Sequence, residues 1–327
     1  MNEKTGNAPR LILHIGSQKT GTTTIQGFLK TQSKELSQAG LHFIQAGRTN
    51  IAHNSVLQRI KQGEGGLVAE EMLSEIQSQS ENSCSVISSE MFFRKSVAGF
   101  FKTHFPPELR ARTLVLVYLR RQDKYAEAMY KQRVKNGRYN GQPTEYLANV
   151  VKLNYDKILQ EYADVFGHQN IVVRPFERSL LPKGDVLQDF AQHAGLPEAL
   201  VENYTASSAN ATLSRQVTEQ LGALRRAGTS VNTRDIIRHI MRHQPVGAIQ
   251  SGDCFDLKSR RALLARYATE NELIRSAFCP DLPALFNMAD LFDNTSYPMQ
   301  SAAEIDQKTQ QATEAINAAI NTLQQTS

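Results

Sequence analysis

The feature that most constrains this chain is a glycine- and threonine-rich loop set between an apolar run and a helical pattern. Leu11-Ile-Leu-His-Ile15 reads as a strand, Gly16-Ser-Gln-Lys19-Thr-Gly21-Thr-Thr-Thr24 as the loop, and about Thr23 to Leu36 as a helix. A strand that passes straight into a helix returns by a crossover to a parallel neighbour. The pattern then repeats, with strands expected at Leu41–Ile44, Ser85–Ser88, Thr113–Leu119 and Ile171–Val173. Helices are expected at Gln122–Lys135 and Asp185–His193, and helical patterning over residues 55–80 is broken by Gly63-Glu-Gly-Gly66. The spacing predicts an α/β fold: a P-loop-type, doubly wound, mainly parallel sheet with flanking helices and a helical C-terminal region. From about residue 212 the chain becomes polar, Arg-rich and helical in pattern, with no convincing strand. The expected organisation is a core over 1–211, a helical extension over 212–300, and a terminal amphipathic helix or tail over 301–327. That last segment places Ile305, Ala312, Ile316, Ile320 and Leu323 on one face.

Composition excludes several classes. With 40% hydrophobic and 21% charged residues, 19 Gly and 11 Pro, the chain is neither collagen-like nor disordered. The three cysteines, Cys84, Cys254 and Cys279, form no CxxC pair, and an odd number argues against a disulfide framework; no metal is expected. A formal net charge of +5 suits an anionic ligand and is too weak alone to imply nucleic acid. The best strand-like apolar run, Leu114–Leu119, falls far short of the roughly 18 residues of a membrane span, so no integral membrane segment is expected. The opening residues carry no apolar signal core, and the expected location is cytoplasmic.

Gly16 and Gly21 have the GxxxxG spacing of a nucleotide phosphate loop. Small residues let the backbone curl around an anion, and the amides at the helix start point at it. The next position, where a nucleoside triphosphatase carries its lysine, is Thr22; the lysine stands instead at Lys19. A plain Gly/Thr turn with a threonine cap explains the glycines but not a lysine inside the loop. Thr22 equally weakens the reading as a nucleotide kinase.

Lys19 followed by Thr-Gly-Thr-Thr resembles the 5′-phosphosulfate-binding loop of sulfotransferases that use 3′-phosphoadenylyl sulfate (PAPS). Leu114-Val-Leu-Val-Tyr-Leu119-Arg120-Arg121-Gln-Asp123 is similar to the strand-and-arginine element of bacterial sulfotransferase-domain proteins, and Val172-Val-Arg174-Pro-Phe-Glu177 also looks familial. The resemblance covers about residues 10–195. It implies a nucleotide-binding core that takes PAPS as donor, with Gln18, Lys19, Thr20, Gly21, Thr22 and Thr23 around the 5′ side and Arg120 on the 3′-phosphate. In many family members a serine eight residues after the arginine adds a 3′-phosphate contact; here that position is Ala128. This departure keeps open a catalytically weak PAP- or PAPS-binding protein beside the enzyme.

Sulfuryl transfer to a hydroxyl needs charge relief on the leaving phosphate and a base for the hydroxyl proton. Lys19 suits the first. For the base, Glu90 follows the Ser85–Ser88 strand, as Lys19 and Arg120 each follow another, so one sheet edge gathers all three. The competing reading is a carboxylate that favours a helix start after a Ser88 or Ser89 cap. His53, in Asn50-Ile-Ala-His53-Asn54, is the reserve base or a substrate contact, against a plain reading as an exposed loop histidine. His14, inside the first strand, reads as a satisfied core histidine. His239 and His243 have a metal-ligand spacing, but Arg238 and Arg242 beside them repel a cation. Nine Lys/Arg face three acidic residues between Glu108 and Arg138, and again between Arg225 and Arg266. The first cluster fits the nucleotide end; the second reads as a solvated helix face or a site for an anionic acceptor. No nucleic acid is expected, since the aromatics are not interleaved for stacking. The resemblance implies transfer to a small-molecule, carbohydrate or glycolipid acceptor.

Overall fold

A computed structural model of the protein describes residues 10–139, 141–150, 153–202, 204, 212–228 and 232–325; the opening segment lies outside them. Five strands, β1 (Leu11–His14), β2 (Leu41–Phe43), β3 (Cys84–Ser88), β4 (Thr113–Leu119) and β5 (Ile171–Pro175), form one parallel sheet in the order β2-β3-β1-β4-β5. Every residue of β1 and β4 is buried, as expected for central parallel strands covered on both faces. Alternation sorts them between two layers. Ile12, Val86, Leu114, Leu116 and Tyr118 pack with Ile25, Phe28 and Leu29 of helix α1 (Thr22–Thr31) and with Val186 and Phe190 of the Val186–Ala194 helix. Leu13, Val115 and Val117, equally buried, face the opposite layer. There the Tyr155–Phe166 helix packs on β4, β5 and the Val97–His104 helix.

The strand order has a functional consequence. From β1 the chain passes over β3 to reach β2, whereas from β3 it passes over β1 to reach β4. Connections leaving adjacent strands in opposite directions open a crevice at their carboxyl ends, the usual ligand position in such sheets.

Local chemistry shifts some expected boundaries. The helix expected over Thr23–Leu36 is two, α1 and α2 (Ser33–Gln38), divided at Gln32. β2 ends at Phe43, although the Ile44 amide still donates to Val86 O at 3.1 Å. Helix α3 (Asn54–Lys61) begins directly after His53. The Val186–Ala194 helix starts where Asp185 accepts from the Leu187 amide at 2.9 Å and stops at Gly195, which is left-handed at φ 66°.

The described residues fall in two compact units. The first lies within Met1–Arg121, Asn154–Ser207 and Thr269–Phe286, and the second within Gln122–Leu153, Ser208–Ala268 and Asn287–Ser327. The first holds the sheet. The second is helical, and one of its cores joins Val217, Leu221, Ile236 and Ile240 to Ala312, Ile316 and Ala319 of the Ala302–Gln325 helix. On that last helix Ile320 and Leu323 are partly buried, but Ile305 lies beyond the packed turns and is 41% exposed. Among the described residues, no helix is long and apolar enough to cross a membrane.

The reading of the second basic cluster as a solvated face holds for most of its residues and fails at Arg260. Arg234, Arg238 and Arg242 are exposed, but Arg260 is fully buried. Its Nη1 lies 2.9 Å from Asp123 Oδ2, and its Nη2 donates to Glu127. Lys131, counted with the nucleotide-end cluster, is buried too: its Nζ lies 2.6 Å from Asp253 Oδ1 and donates to Leu213 O and Gln250 O. Burial works against the Glu127 carboxylate, yet Arg260 and Lys131 outweigh it and hold its pKa below the usual range.

Candidate active site

The loop between β1 and α1 is laced to β4. Ser17 N and Oγ donate to Tyr118 O at 2.9 and 3.0 Å, and the Tyr118 amide donates to Gly16 O at 2.7 Å. Thr20, fully buried, closes the turn with its Oγ1 donating to Ser17 O at 2.6 Å. Three residues of the loop have positive φ: Gly16 at 103°, Lys19 at 66° and Gly21 at 76°. A Cβ on Gly21 would also stand 2.8 Å from Val186 Cγ1, so glycine is required there by conformation and by space. α1 therefore begins at Gly21 with no side-chain cap and no acidic residue in its first turn. Its dipole end keeps its full attraction for an anion. Thr22 is buried and Thr23 exposed; Gln18 and Lys19 are half-buried.

Arg120, just past β4, donates from Nη1 to Lys19 O at 2.9 Å, while its own carbonyl accepts from Tyr155 OH at 3.2 Å. Arg121 is fully buried, so the two arginines of the pair have different surroundings.

Glu90 follows β3 on the other side of β1. A Cβ on Gly16 would lie 2.8 Å from Glu90 Cα, so the glycine is what lets the backbone of Glu90 approach the loop so closely. The carboxylate is half-buried and takes one amide on each oxygen: Gln26 Nε2 on Oε2 at 3.1 Å and Asn54 Nδ2 on Oε1 at 3.1 Å. No helix starts at Glu90: residues 90–96 form turns and bends. The structure thus sets the Lys19 loop, Glu90 and Arg120 at the ends of the three adjacent strands β3, β1 and β4.

His53 is not an exposed loop histidine. It is fully buried, its Nδ1 accepting from the Ser88 amide at 3.1 Å and its Nε2 lying 2.9 Å from Ile44 O. Burial, helped by the Arg48 charge, lowers its pKa to about 4 against the raising effect of the Ser88 and Ile44 carbonyls, 3.2 and 2.9 Å from its ring nitrogens. The imidazole bolts together the ends of β2 and β3 and the start of α3. His14 is buried as expected, with Nδ1 2.8 Å from Ser88 Oγ and a pKa lowered to about 3 by burial. Its ring meets Tyr118 and Phe190 edge-on.

Reading the sequence missed Gln26 and Asn54. A signal existed for the first: Gln26 sits beside Ile25 on the face of α1 that also buries Thr22 and Leu29, where an apolar residue is expected. Asn54 gave none, because its partners Ser89 and Glu90 are far away in sequence.

Among the described residues, two groups bear on metal binding. Glu127, Asp253 and Cys254 place ligand atoms within 4.8 Å of one another. Lys131 already supplies the counter-charge there, and burial pushes the Cys254 thiol well up, so the group is an ion-paired core. His239 and His243 stack with centroids 4.1 Å apart, and His243 Nδ1 is engaged with His239 O at 2.9 Å.

No family model matches the chain. An uncharacterized protein of Archaeoglobus fulgidus is 30% identical over 142 residues, which is 42% of this chain and 38% of that protein's length. Among solved structures, a sulfotransferase from Alicyclobacillus acidocaldarius is similar over 66% of this chain and 90% of its own, with a TM-score of 0.38 and 14% identity.

Proposed function

We propose that this chain is a sulfotransferase that moves the sulfuryl group of PAPS to a hydroxyl of a carbohydrate or glycolipid. The observation that carries the reading is the uncapped start of α1, with Lys19 in its loop, flanked on neighbouring strand ends by Glu90 and Arg120. The residues present fit such a donor. The loop presents amides and a helix dipole without a side-chain cap or a competing carboxylate in the first turn of α1, and Lys19 adds a positive charge to the same loop. Gln18, Thr20, Gly21, Thr22 and Thr23 surround the 5′-phosphosulfate, and Arg120 takes the 3′-phosphate.

Each charged group has one task. Glu90 accepts the acceptor's hydroxyl proton as the acceptor oxygen bonds to sulfur. Lys19 neutralises the charge left on the 5′-phosphate as the sulfur–oxygen bridge breaks, an interaction that strengthens toward the transition state. His53 is built into the frame beneath Glu90, with both ring nitrogens engaged, and supports the base from there. Thr22 at the usual lysine position of phosphate loops argues against phosphoryl transfer from ATP. Ala128, where a phosphate-binding serine is common in the family, favours one second reading, a protein that binds PAP or PAPS without efficient transfer.

The test is Glu90→Gln. The protein should bind PAP as before by calorimetry and lose about 10²–10⁴-fold in transfer of labelled sulfate from PAPS to a panel of saccharides and glycolipids. Full turnover in the folded variant removes Glu90 as the base. PAP binding with no transfer by the unaltered protein selects the second reading, and ATP binding without PAP binding ends the proposal.

A further inference from the structure

Behind Glu90 lies a chain of neutral polar groups that the proposed reaction does not itself use. Gln26 is 2% exposed on the apolar face of α1, where burying an amide is costly unless its hydrogen bonds are made. Its Nε2 is shared between Ser88 Oγ at 3.3 Å and Glu90 Oε2 at 3.1 Å. Ser88 Oγ in turn lies 2.8 Å from His14 Nδ1, and His14 is fully buried with no partner at Nε2. On the other carboxylate oxygen, Asn54 Nδ2 donates at 3.1 Å, while Asn54 Oδ1 accepts from Ser89 Oγ at 2.6 Å. Both amides are therefore locked with their NH₂ groups toward Glu90. A flip of Gln26 would put an oxygen against the carboxylate, and a flip of Asn54 would also leave the Ser89 hydroxyl facing an NH₂.

We infer that Gln26 and Asn54 are positioning residues that clamp the Glu90 carboxylate, one oxygen each, in the orientation that takes the acceptor's proton. The inference rests on the reading of Glu90 as the base. Folding alone gives no reason for the arrangement, since leucine or methionine at position 26 would complete the apolar face of α1 without a desolvation cost. A carboxylate with rotational freedom samples many directions, whereas two fixed donors from separate elements leave it one. The Gln26 amide comes from α1, which also carries the phosphate loop, so base and donor loop share one support. His53 fixes the start of α3 and so places Asn54.

Two measurements test the clamp independently of each other. In the ligand-free protein, the side-chain amide ¹H–¹⁵N signals of Gln26 and Asn54 should both move when Glu90 is replaced in Glu90→Gln; unmoved signals overturn the contact. In transfer from PAPS to the saccharide panel, Gln26→Met should lower kcat about 10- to 100-fold with KM for PAPS unchanged. The same replacement in a Glu90→Gln background should lower kcat no further. Asn54→Leu, at a half-buried position, should repeat the pattern and serves where Gln26→Met does not fold. A normal kcat in both variants, an equal loss in both backgrounds, or a raised KM for PAPS overturns the clamp. Should Glu90→Gln itself be fully active, the base assignment fails while the amide signals still report the contact.

Discussion

Each unit contains a buried polar cluster, and the two are built on opposite principles. In the second unit Asp123, Glu127 and Asp253 are buried with Lys131 and Arg260, and the three carboxylates are held by these two cations together with the Arg215 and Gly252 amides. In the first, His14, Ser88, Ser89 and Gln26 are buried and neutral, and their hydrogen bonds lead outward to a single half-buried carboxylate. A cluster of oppositely charged side chains paired with one another joins the elements that carry it; here it ties the Gln122–Lys135 helix to the Leu257–Ala265 helix. A cluster of neutral donors ending on one accessible charge leaves that charge available for chemistry and sets its direction. Polarity inside a fold is therefore informative by where its net charge ends, more than by how much of it is buried.

The largest expected effect tests the first half of that contrast. Arg260→Met retains much of the packing but removes the buried guanidinium that pairs with both Asp123 and Glu127. Removing one partner of a buried ion pair costs about 3–5 kcal/mol. Urea unfolding should show a loss of that size, while Glu90→Gln, at a half-buried position, should cost little stability and most of the transfer rate. An Arg260→Met protein as stable as the parent would mean that the ionic core does not hold its helices together.

Acid should separate the two clusters in pH. His53 and His14 ordinarily titrate near 6.5, and burial lowers them in the fold to about 4 and about 3. Between those values the unfolded chain binds protons that the fold refuses, so stability falls as pH drops below 6.5. His53 alone accounts for about 3 kcal/mol by pH 4. Glu127 behaves differently: burial works against its charge, but Arg260 and Lys131 hold its pKa below the ordinary 4.5, so its contribution is lost only below that pH. Unfolding free energies measured from pH 7.5 to 4 should decline from about 6.5 downward, and His53→Gln should flatten the slope. Glu270, raised to about 7 by burial, gains stability as pH falls over the same range and offsets part of the decline, so a His53→Gln slope equal to the parent's would contradict the buried neutral His53.

How much of this was legible in the sequence follows from which interactions are local. The central strand β4 is readable because a parallel strand covered on both faces needs an unbroken apolar run such as Leu114–Leu119. The loop is readable because Gly16 and Gly21 stand where conformation and space demand glycine. The break at Gln32 carries no glycine or proline to announce it. The burial of His53 depends on Ile44 and Ser88, which only the assembled sheet brings to it. Gln26 looks like an ordinary solvent-facing helix residue until its face is counted against Thr22, Ile25 and Leu29. Arg260 reads as one more exposed arginine because Asp123 lies 137 positions away. Patterns within a few residues are legible; partners across the fold are not.

The smallest effect concerns Arg120, which bridges the two roles that the comparison separates. Its Nη1 donates to Lys19 O at 2.9 Å, so it shapes the loop between β1 and α1 as the ionic core shapes its helices. In the proposed complex its guanidinium also meets the 3′-phosphate. A charge-assisted contact of that kind contributes about 1.5–3 kcal/mol. Arg120→Ala should then weaken PAP binding roughly tenfold or more while weakening adenosine 5′-phosphate, which lacks the 3′-phosphate, much less. Calorimetry with both nucleotides on the same protein gives the ratio directly. Equal losses would assign Arg120 to the frame alone, because a misshapen loop harms every ligand that places a 5′-phosphate there. A selective loss for PAP shows that the guanidinium reads the phosphate that distinguishes PAPS from other adenine nucleotides. Arg120→Lys refines the result: it keeps the charge but not the planar fork, so PAP binding should recover only in part if the fork spans Lys19 O and the phosphate together.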